Sequence, residues 1–206
     1  MTQTSNRPHF LHPYWGFFAI FVLGFPLFFL VLERTGPPPI IVEDYGAAPR
    51  FSLKNQHDKA VDNTHFQQQP SIINFIYTRC PDVCPRLSAS MSNLQTTRGF
   101  QNTQFVSITV DPKHDTSEVL KKYGERFNAN QKRWFFLTGP ESDILQTIKG
   151  FQQAYAKSGT TADGVPNILH SEKWILVDTQ GHIRGFFNDD AAGTKRLLLA
   201  LKNVSN

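Results

Sequence analysis

From residue 71 onward, hydrophobic positions alternate between short continuous runs and helical spacing. Continuous apolar runs predict buried strands at 71–77, 104–110 and 133–137. Apolar residues three or four positions apart predict helices that follow them. The predicted helix faces are Leu87, Met91 and Leu94; Leu120, Tyr123 and Phe127; and Ile144, Leu145, Ile148 and Phe151. Because strands alternate with helices, the pattern predicts a layered α/β sheet.

A predicted hairpin stands at each end of this alternation. Phe51–Leu53 and Thr64–Phe66 are predicted as short strands around a polar turn. At the other end, Lys173–Val177 and His182–Phe187 flank a turn that ends in glycine. A helix over 191–201 then closes the order β-α-β-α-β-α-β-β-α, which follows the leading hairpin.

The amino-terminal region has a different pattern. Residues 8–32 contain no Asp, Glu, Lys or Arg, and residues 14–32 form a nearly continuous apolar run. As a helix this run is roughly 28 Å long, close to the hydrocarbon thickness of a bilayer. Its length, and the proline run that follows in place of a small-residue cleavage site, favour an uncleaved transmembrane helix over a signal peptide.

This run divides the chain into four predicted segments. Residues 1–13 form a cytoplasmic tail, 14–32 a transmembrane anchor, 33–48 a Pro-rich linker and 49–206 the folded domain. Arg7 gives a positive-inside signal, and the tail lacks the composition of a transit peptide. The expected location is therefore a bacterial inner membrane, with a single span and the carboxyl-terminal domain in the periplasm.

Composition and charge exclude one class of partner. The 206 residues are 40% hydrophobic and 18% charged, which is typical of a globular protein. The net charge of +4 is modest, and Lys and Arg are spread along the chain without a cluster. Nucleic-acid binding requires a basic stripe, so we expect no nucleic acid partner.

The chemistry of the chain is concentrated in its only two cysteines, Cys80 and Cys84. Both lie in the run Tyr77–Pro85, directly after a predicted strand and before a predicted helix. The partial positive charge of a helix amino terminus favours thiolate over thiol. A cysteine pair at this place, together with the terminal ββα, predicts a thioredoxin-like fold with an N-terminal β-hairpin extension.

Three kinds of chemistry are open to these cysteines. A purely structural disulfide would close a very short loop and stabilise little. A redox couple is the second possibility, and the C-x-x-x-C spacing is one residue longer than that of thioredoxin. A metal site is the third. Structural zinc needs four ligands, and two thiolates with one imidazole suit copper.

Seven histidines could supply that imidazole: His9, His12, His57, His65, His114, His170 and His182. His170 is favoured because its loop, just before the predicted strand 173–177, faces the cysteine loop in a thioredoxin plan. His114 lies in a loop near the carboxyl edge of the sheet and stays open as an alternative.

Residues Asn74–Pro85, with the element CPDVCP, resemble the signature of the Sco/SenC family. Ser107–Thr116, Trp134–Gly139 and His170–Ser171 resemble further segments of that family in the same order. The resemblance extends over roughly residues 49 to 203.

The resemblance implies a membrane-tethered copper metallochaperone that assists assembly of the binuclear copper site of cytochrome c oxidase. It implies one copper ion, as Cu(I), Cu(II) or both, held by Cys80, Cys84 and His170. The implied partners are the oxidase subunit that carries the binuclear site and a periplasmic thiol reductant. Leu169 departs from the family, since many members have Asp there to orient the imidazole or complete a Cu(II) shell. Glu172 is the nearest residue that could compensate.

Other functions remain open at this point. The runner-up is a membrane-anchored thiol–disulfide oxidoreductase, which would use Cys80 and Cys84 as its redox pair. A redox or copper sensor that signals through a protein partner is a third function. A peroxidase, in which Cys80 attacks peroxide and Cys84 resolves, is a fourth.

Overall fold

The structure, a computed structural model, describes residues 42–161 and 164–204, and Phe25. Its strands are β1 (Ser52–Asn55), β2 (Ala60–Asp62), β3 (Ser71–Ile76), β4 (Gln104–Thr109), β5 (Trp134–Thr138), β6 (Tyr155–Thr160), β7 (Pro166–His170), β8 (Lys173–Val177) and β9 (Ile183–Asn188). Its α-helices are α1 (Val83–Thr96), α2 (Ser117–Arg126), α3 (Glu141–Gly150) and α4 (Ala191–Val204). A 3-10 helix covers Asn63–Gln67.

Seven of these strands form one sheet in the order β2-β1-β5-β4-β3-β8-β9. The strands β3, β4 and β5 are parallel, and β8 and β9 continue the sheet in antiparallel fashion. All six residues of β3 are buried, as expected of a parallel strand covered on both faces. The predicted α/β sheet is therefore present. Its interior strand β3 leads directly into the cysteine loop.

The leading hairpin is present, but its predicted second strand is wrong. β1 pairs with β2, whereas Thr64 to Phe66 lie in the 3-10 helix. The Asp62 side chain accepts a hydrogen bond from the Thr64 backbone N–H and caps this helix. An Asp that bonds the backbone two residues on favours a turn over a strand. Phe66, which was part of the predicted strand, lies in the 3-10 helix and is fully buried there.

A second hairpin, β6–β7, was not predicted. It forms a separate two-stranded sheet in which Tyr155 pairs with His170. Most of β6 is exposed, so its sequence carries no hydrophobic alternation. This hairpin corrects the predicted position of His170, which is the last residue of a strand and not part of a loop.

The predicted segment 1–13, all of 14–32 except Phe25, and most of the linker 33–48 lie outside the described residues. Among the helices that the structure describes, none has the length and hydrophobicity to span a membrane. The anchor remains a prediction.

Candidate metal site

The two cysteines lie at the junction between β3 and α1. Cys84 is in the first turn of α1 and is fully buried, whereas Cys80, in the preceding loop, is 9% exposed. The backbone N–H of Cys84 points at the Cys80 sulfur, with 3.5 Å between N and Sγ. The two cysteines are free and form no disulfide with each other. The predicted placement at a helix amino terminus is confirmed, because α1 begins at Val83, between them.

His170 completes the cluster from the opposite side. Its Nε2 lies 3.4 Å from Cys84 Sγ, and its Nδ1 lies 3.0 Å from the carbonyl oxygen of Ser171. A carbonyl only accepts, so Nδ1 carries the proton and the lone pair is on Nε2. The ring therefore directs its metal-binding atom at a cysteine sulfur, with its other nitrogen fixed by the backbone.

The pKa values of the two cysteines are shifted in opposite directions. The hydrogen bond from the Cys84 thiol is the main cause that lowers the pKa of Cys80, to about 5, against the opposing effect of burial. Backbone N–H groups of Cys84 and Asp82 also stabilise the Cys80 thiolate. The same hydrogen bond, together with burial, raises the pKa of Cys84. At neutral pH the site therefore holds one thiolate and one thiol that donates to it.

This asymmetry predicts how the thiols react with iodoacetamide. We expect Cys80 to be alkylated at a rate that is constant above pH 7 and falls as the pH drops through about 5, because only the thiolate reacts. Buried Cys84 should stay unmodified at neutral pH. Mass spectrometry of the labelled peptides at each pH measures both rates. The denatured chain is the control, with ordinary thiol pKa values of about 8.5. A Cys80 rate that still rises between pH 7 and 9 would contradict the prediction.

A buried carboxylate holds the cysteine loop in place. Asp115 is completely buried and accepts hydrogen bonds from the backbone N–H and the hydroxyl of Thr78, two residues before Cys80. It also accepts from the Thr109 hydroxyl. Sequence reasoning did not identify Asp115 in this role. Asp115 follows Lys113 by two positions in the loop after a predicted strand, and this placement does not indicate which other loop it contacts.

The alternative ligand His114 contacts the same carboxylate. Its Nδ1 lies 3.0 Å from Asp115 Oδ1, and the ring is solvent-accessible. Asp111, His114 and Asp115 are close enough together to hold a cation. The two carboxylates are already engaged, however, since Asp111 pairs with Arg79 at 2.7 Å and Asp115 accepts from its threonine neighbours. We assign this cluster to loop structure.

The other histidines have different surroundings. His65 lies 3.9 Å from Asp62, and His182 pairs with Asp44 at 2.9 Å near the first described residues. His57 lies in the turn between β1 and β2. His9 and His12 lie outside the described residues.

The residue before His170 is open to solvent. Leu169 is 67% exposed beside His170. Glu172, which could have compensated, instead accepts a hydrogen bond from Arg86 at 3.1 Å. The imidazole is thus oriented by the Ser171 carbonyl, which contacts its Nδ1.

Comparison with known proteins identifies the family. The family model SCO1/SenC matches residues 43–205. A SCO2-like protein of Rickettsia typhi is 32% identical over 157 residues, which are 74% of this chain and 75% of the relative.

Two solved structures are also similar. ScoI of Bradyrhizobium japonicum, solved with copper bound, is 27% identical with a TM-score of 0.66, over 77% of this chain and 99% of ScoI. A SCO1/SenC family lipoprotein of Bacillus anthracis is 25% identical with a TM-score of 0.69, over 78% of this chain and 95% of the lipoprotein. These similarities confirm the predicted thioredoxin-like fold. The chain belongs to the SCO1/SenC family.

Proposed function

We propose that this chain is a membrane-anchored copper metallochaperone that assists assembly of the binuclear copper site of cytochrome c oxidase. Copper is its cargo, held by Cys80, Cys84 and His170. The observation that carries the proposal is the contact between His170 Nε2 and Cys84 Sγ across 86 residues of sequence. A relative of this chain, ScoI, has been solved with copper bound, which supports the same cargo here.

The donor set suits copper better than other common metals. Two sulfurs and one imidazole nitrogen are soft or borderline ligands, which select Cu(I) and also accept Cu(II). Structural zinc would need a fourth protein ligand. Copper binding displaces the proton of the Cys84 thiol, so that both sulfurs bind as thiolates. Cys80 already holds its negative charge at neutral pH.

The difference in burial between the sulfurs suggests the order of release. Cys80 is slightly exposed and Cys84 is completely buried. A partner thiolate can therefore reach copper from the Cys80 side and displace that sulfur first, with Cys84 and His170 following. The exchange moves the metal ion without changing its charge. Both cysteines must be reduced before loading, which is the role of the periplasmic thiol reductant.

The location is part of the proposal. Residues 14–32 would anchor the chain in a bacterial inner membrane, with 1–13 as a cytoplasmic tail, 33–48 as a linker and 49–206 as the periplasmic domain. The apolar run of 14–32 supports the anchor, and the lipoprotein relative of Bacillus anthracis supports membrane attachment in this family.

Copper transfer tests this function. Cu(I)-loaded protein is mixed with the reduced, copper-free soluble domain of an oxidase subunit that carries the binuclear site. We expect copper to leave the chain and the binuclear site's absorption to appear after mild oxidation. A matched control uses the same chain with Cys80→Ser and Cys84→Ser. Retention of copper by the wild-type chain, with no absorption from the target, would overturn the delivery role.

The thiol–disulfide oxidoreductase is the second candidate. The opposite pKa shifts of Cys80 and Cys84 favour it, because a nucleophilic thiolate beside a protonated partner is typical of dithiol reductants. In that function Cys80 would attack the disulfide of the oxidase subunit, and Cys84 would release the reduced target by forming the Cys80–Cys84 disulfide. Copper-free, reduced protein mixed with the oxidised target distinguishes the two functions, since only the oxidoreductase generates target thiols.

A further inference from the structure

The outer face of α4 is basic. Lys195, Leu199 and Lys202 are spaced four and three residues apart, so they lie along one side of the helix. Both lysines are exposed, and Leu199 is half-buried. Arg196 is exposed beside them, and residues 191–206 contain no Asp or Glu. The helix therefore presents three positive charges to solvent without an acidic residue of its own.

The fold adds a fourth cation from a distant part of the sequence. Arg98 is exposed in the turn after α1, next to Gly99. This turn packs against α4, because a Cβ atom on Gly99 would lie 2.5 Å from Leu198 Cδ1. Within residues 42–161 and 164–204, none of the four cations forms an ion pair with a carboxylate. We call these four residues of α4 and the neighbouring turn the basic face.

The chain enters the domain beside the basic face. Val42, where the described stretch begins, lines one cavity with Arg196 and Ala200 of α4. The segment after Val42 is fixed to the edge of β9, since the Tyr45 N–H donates to the Ile183 carbonyl at 2.9 Å. The predicted linker therefore ends next to the basic face.

The length of the linker limits how far this face can lie from a bilayer. Only residues 33–41 separate the predicted transmembrane span from Val42. Nine fully extended residues cover at most roughly 32 Å. Each Lys or Arg near a surface of anionic lipids strengthens the attraction by a factor of roughly five. The charge of the face and the short linker therefore both favour a lipid surface as its partner.

We propose that the basic face, formed by Arg98, Lys195, Arg196 and Lys202, docks on anionic phospholipid headgroups of the membrane that anchors the chain. This inference rests on the anchor of the proposed function and adds an electrostatic contact with the same membrane. The contact limits the orientations of the domain above the bilayer, which a flexible attachment at one point does not do.

Lysine acetylation tests the docking in the full-length protein. The protein is reconstituted into nanodiscs of phosphatidylcholine, with or without phosphatidylglycerol, and the rate at each lysine is measured by mass spectrometry after brief treatment with an acetylating reagent. We expect Lys195 and Lys202 to react about fivefold more slowly in the anionic discs. This protection should disappear near 1 M salt, where the Debye length is about 3 Å.

Two exposed lysines on the other side of the domain are internal controls. Lys121 lies on α2, which packs on β5 through Gly124 and Phe136, and Lys132 lies just before β5. In the sheet, β5 and β9 lie on opposite sides of β3. Both lysines should therefore react at the same rate in neutral and anionic discs.

The double variant Arg98→Glu/Arg196→Glu removes two cations of the basic face and leaves its two lysines as reporters. We expect these lysines to lose their protection in the anionic discs. The matched control is Lys121→Glu/Lys132→Glu, which changes the net charge by the same amount at the other side of the sheet. The control should keep the protection, and both variants should bind Cu(I) as tightly as the wild type.

The outcomes separate the inference from the copper function. If Lys195 and Lys202 react equally in neutral and anionic discs, or if both double variants lose protection alike, the inference is wrong and copper binding is unaffected. If the wild-type chain docks but binds no Cu(I), the copper function is wrong and the docking stands. If the chain does not co-purify with the discs, the anchor is wrong and the inference is overturned with it.

Discussion

Replacement of Cys84 by serine is expected to lower Cu(I) affinity by roughly 100-fold or more. A structural zinc site gains about 12 kcal/mol from four ligands, or about 3 kcal/mol for each one. A serine hydroxyl is neither soft nor ionised at neutral pH, so it does not replace the thiolate. Cys84 is also the residue that contacts both other ligands, through its N–H to Cys80 and its sulfur to His170. Competition with a chromophoric Cu(I) chelator measures the loss.

The fold should survive this substitution. Serine keeps an acceptor for the Tyr77 N–H, which bonds to Cys84 Sγ in the wild type. Ser88→Ala is the control. Ser88 lies one turn later on α1 and is equally buried, and the substitution removes its hydrogen bond with the Tyr123 hydroxyl. That variant should be less stable and still bind copper normally. A Cys84→Ser protein that binds Cu(I) within threefold of wild type would show that this sulfur is not a ligand.

Replacement of His170 by alanine is expected to separate copper binding from thiol redox chemistry. Loss of the imidazole removes a ligand and should lower copper affinity by about 10- to 100-fold, less than loss of a thiolate. The reduction potential of the Cys80–Cys84 pair should change by only about 20 mV. Only one polar contact of Cys84 is lost, and a contact of this kind is worth about 1 kcal/mol in a two-electron couple.

His114→Ala is the control for this experiment, because His114 is the other candidate ligand and is bonded to Asp115. Its copper affinity should equal that of wild type. Equilibration with glutathione buffers gives the potential, and chelator competition gives the affinity. If His114→Ala lost copper and His170→Ala kept it, the ligand assignment would be wrong. If His170→Ala shifted the potential strongly with no change in affinity, the oxidoreductase would be the better account.

The sheet could be predicted from the sequence because its inner strands are nearly continuous apolar runs. β3 is buried at every residue and β4 at all but its first, so both faces of each strand select apolar side chains. The cysteine pair was likewise predictable as a site at a strand-to-helix junction. Both features depend on residues close together in sequence, which is what a hydrophobic pattern records.

The parts that could not be predicted depend on distant contacts or on local caps. The hairpin β6–β7 carries His170 but has a mostly exposed first strand, so it lacks the alternation that identifies strands. Thr64 and Phe66 have the composition of a strand, but the Asp62 cap places them in a 3-10 helix. The role of Asp115 comes from Thr78 and Thr109, which lie on other parts of the fold. No spacing within the sequence records those contacts.

The most direct measurement is the absorption spectrum of the reduced wild-type protein as Cu(II) is added. Two thiolates on one ion should produce intense sulfur-to-copper charge-transfer bands that saturate at one copper per chain. His170→Ala should alter these bands and Cys84→Ser should remove most of their intensity. A spectrum without sulfur bands, or one that is unchanged in both variants, would contradict the claim that Cys80, Cys84 and His170 bind a single copper ion.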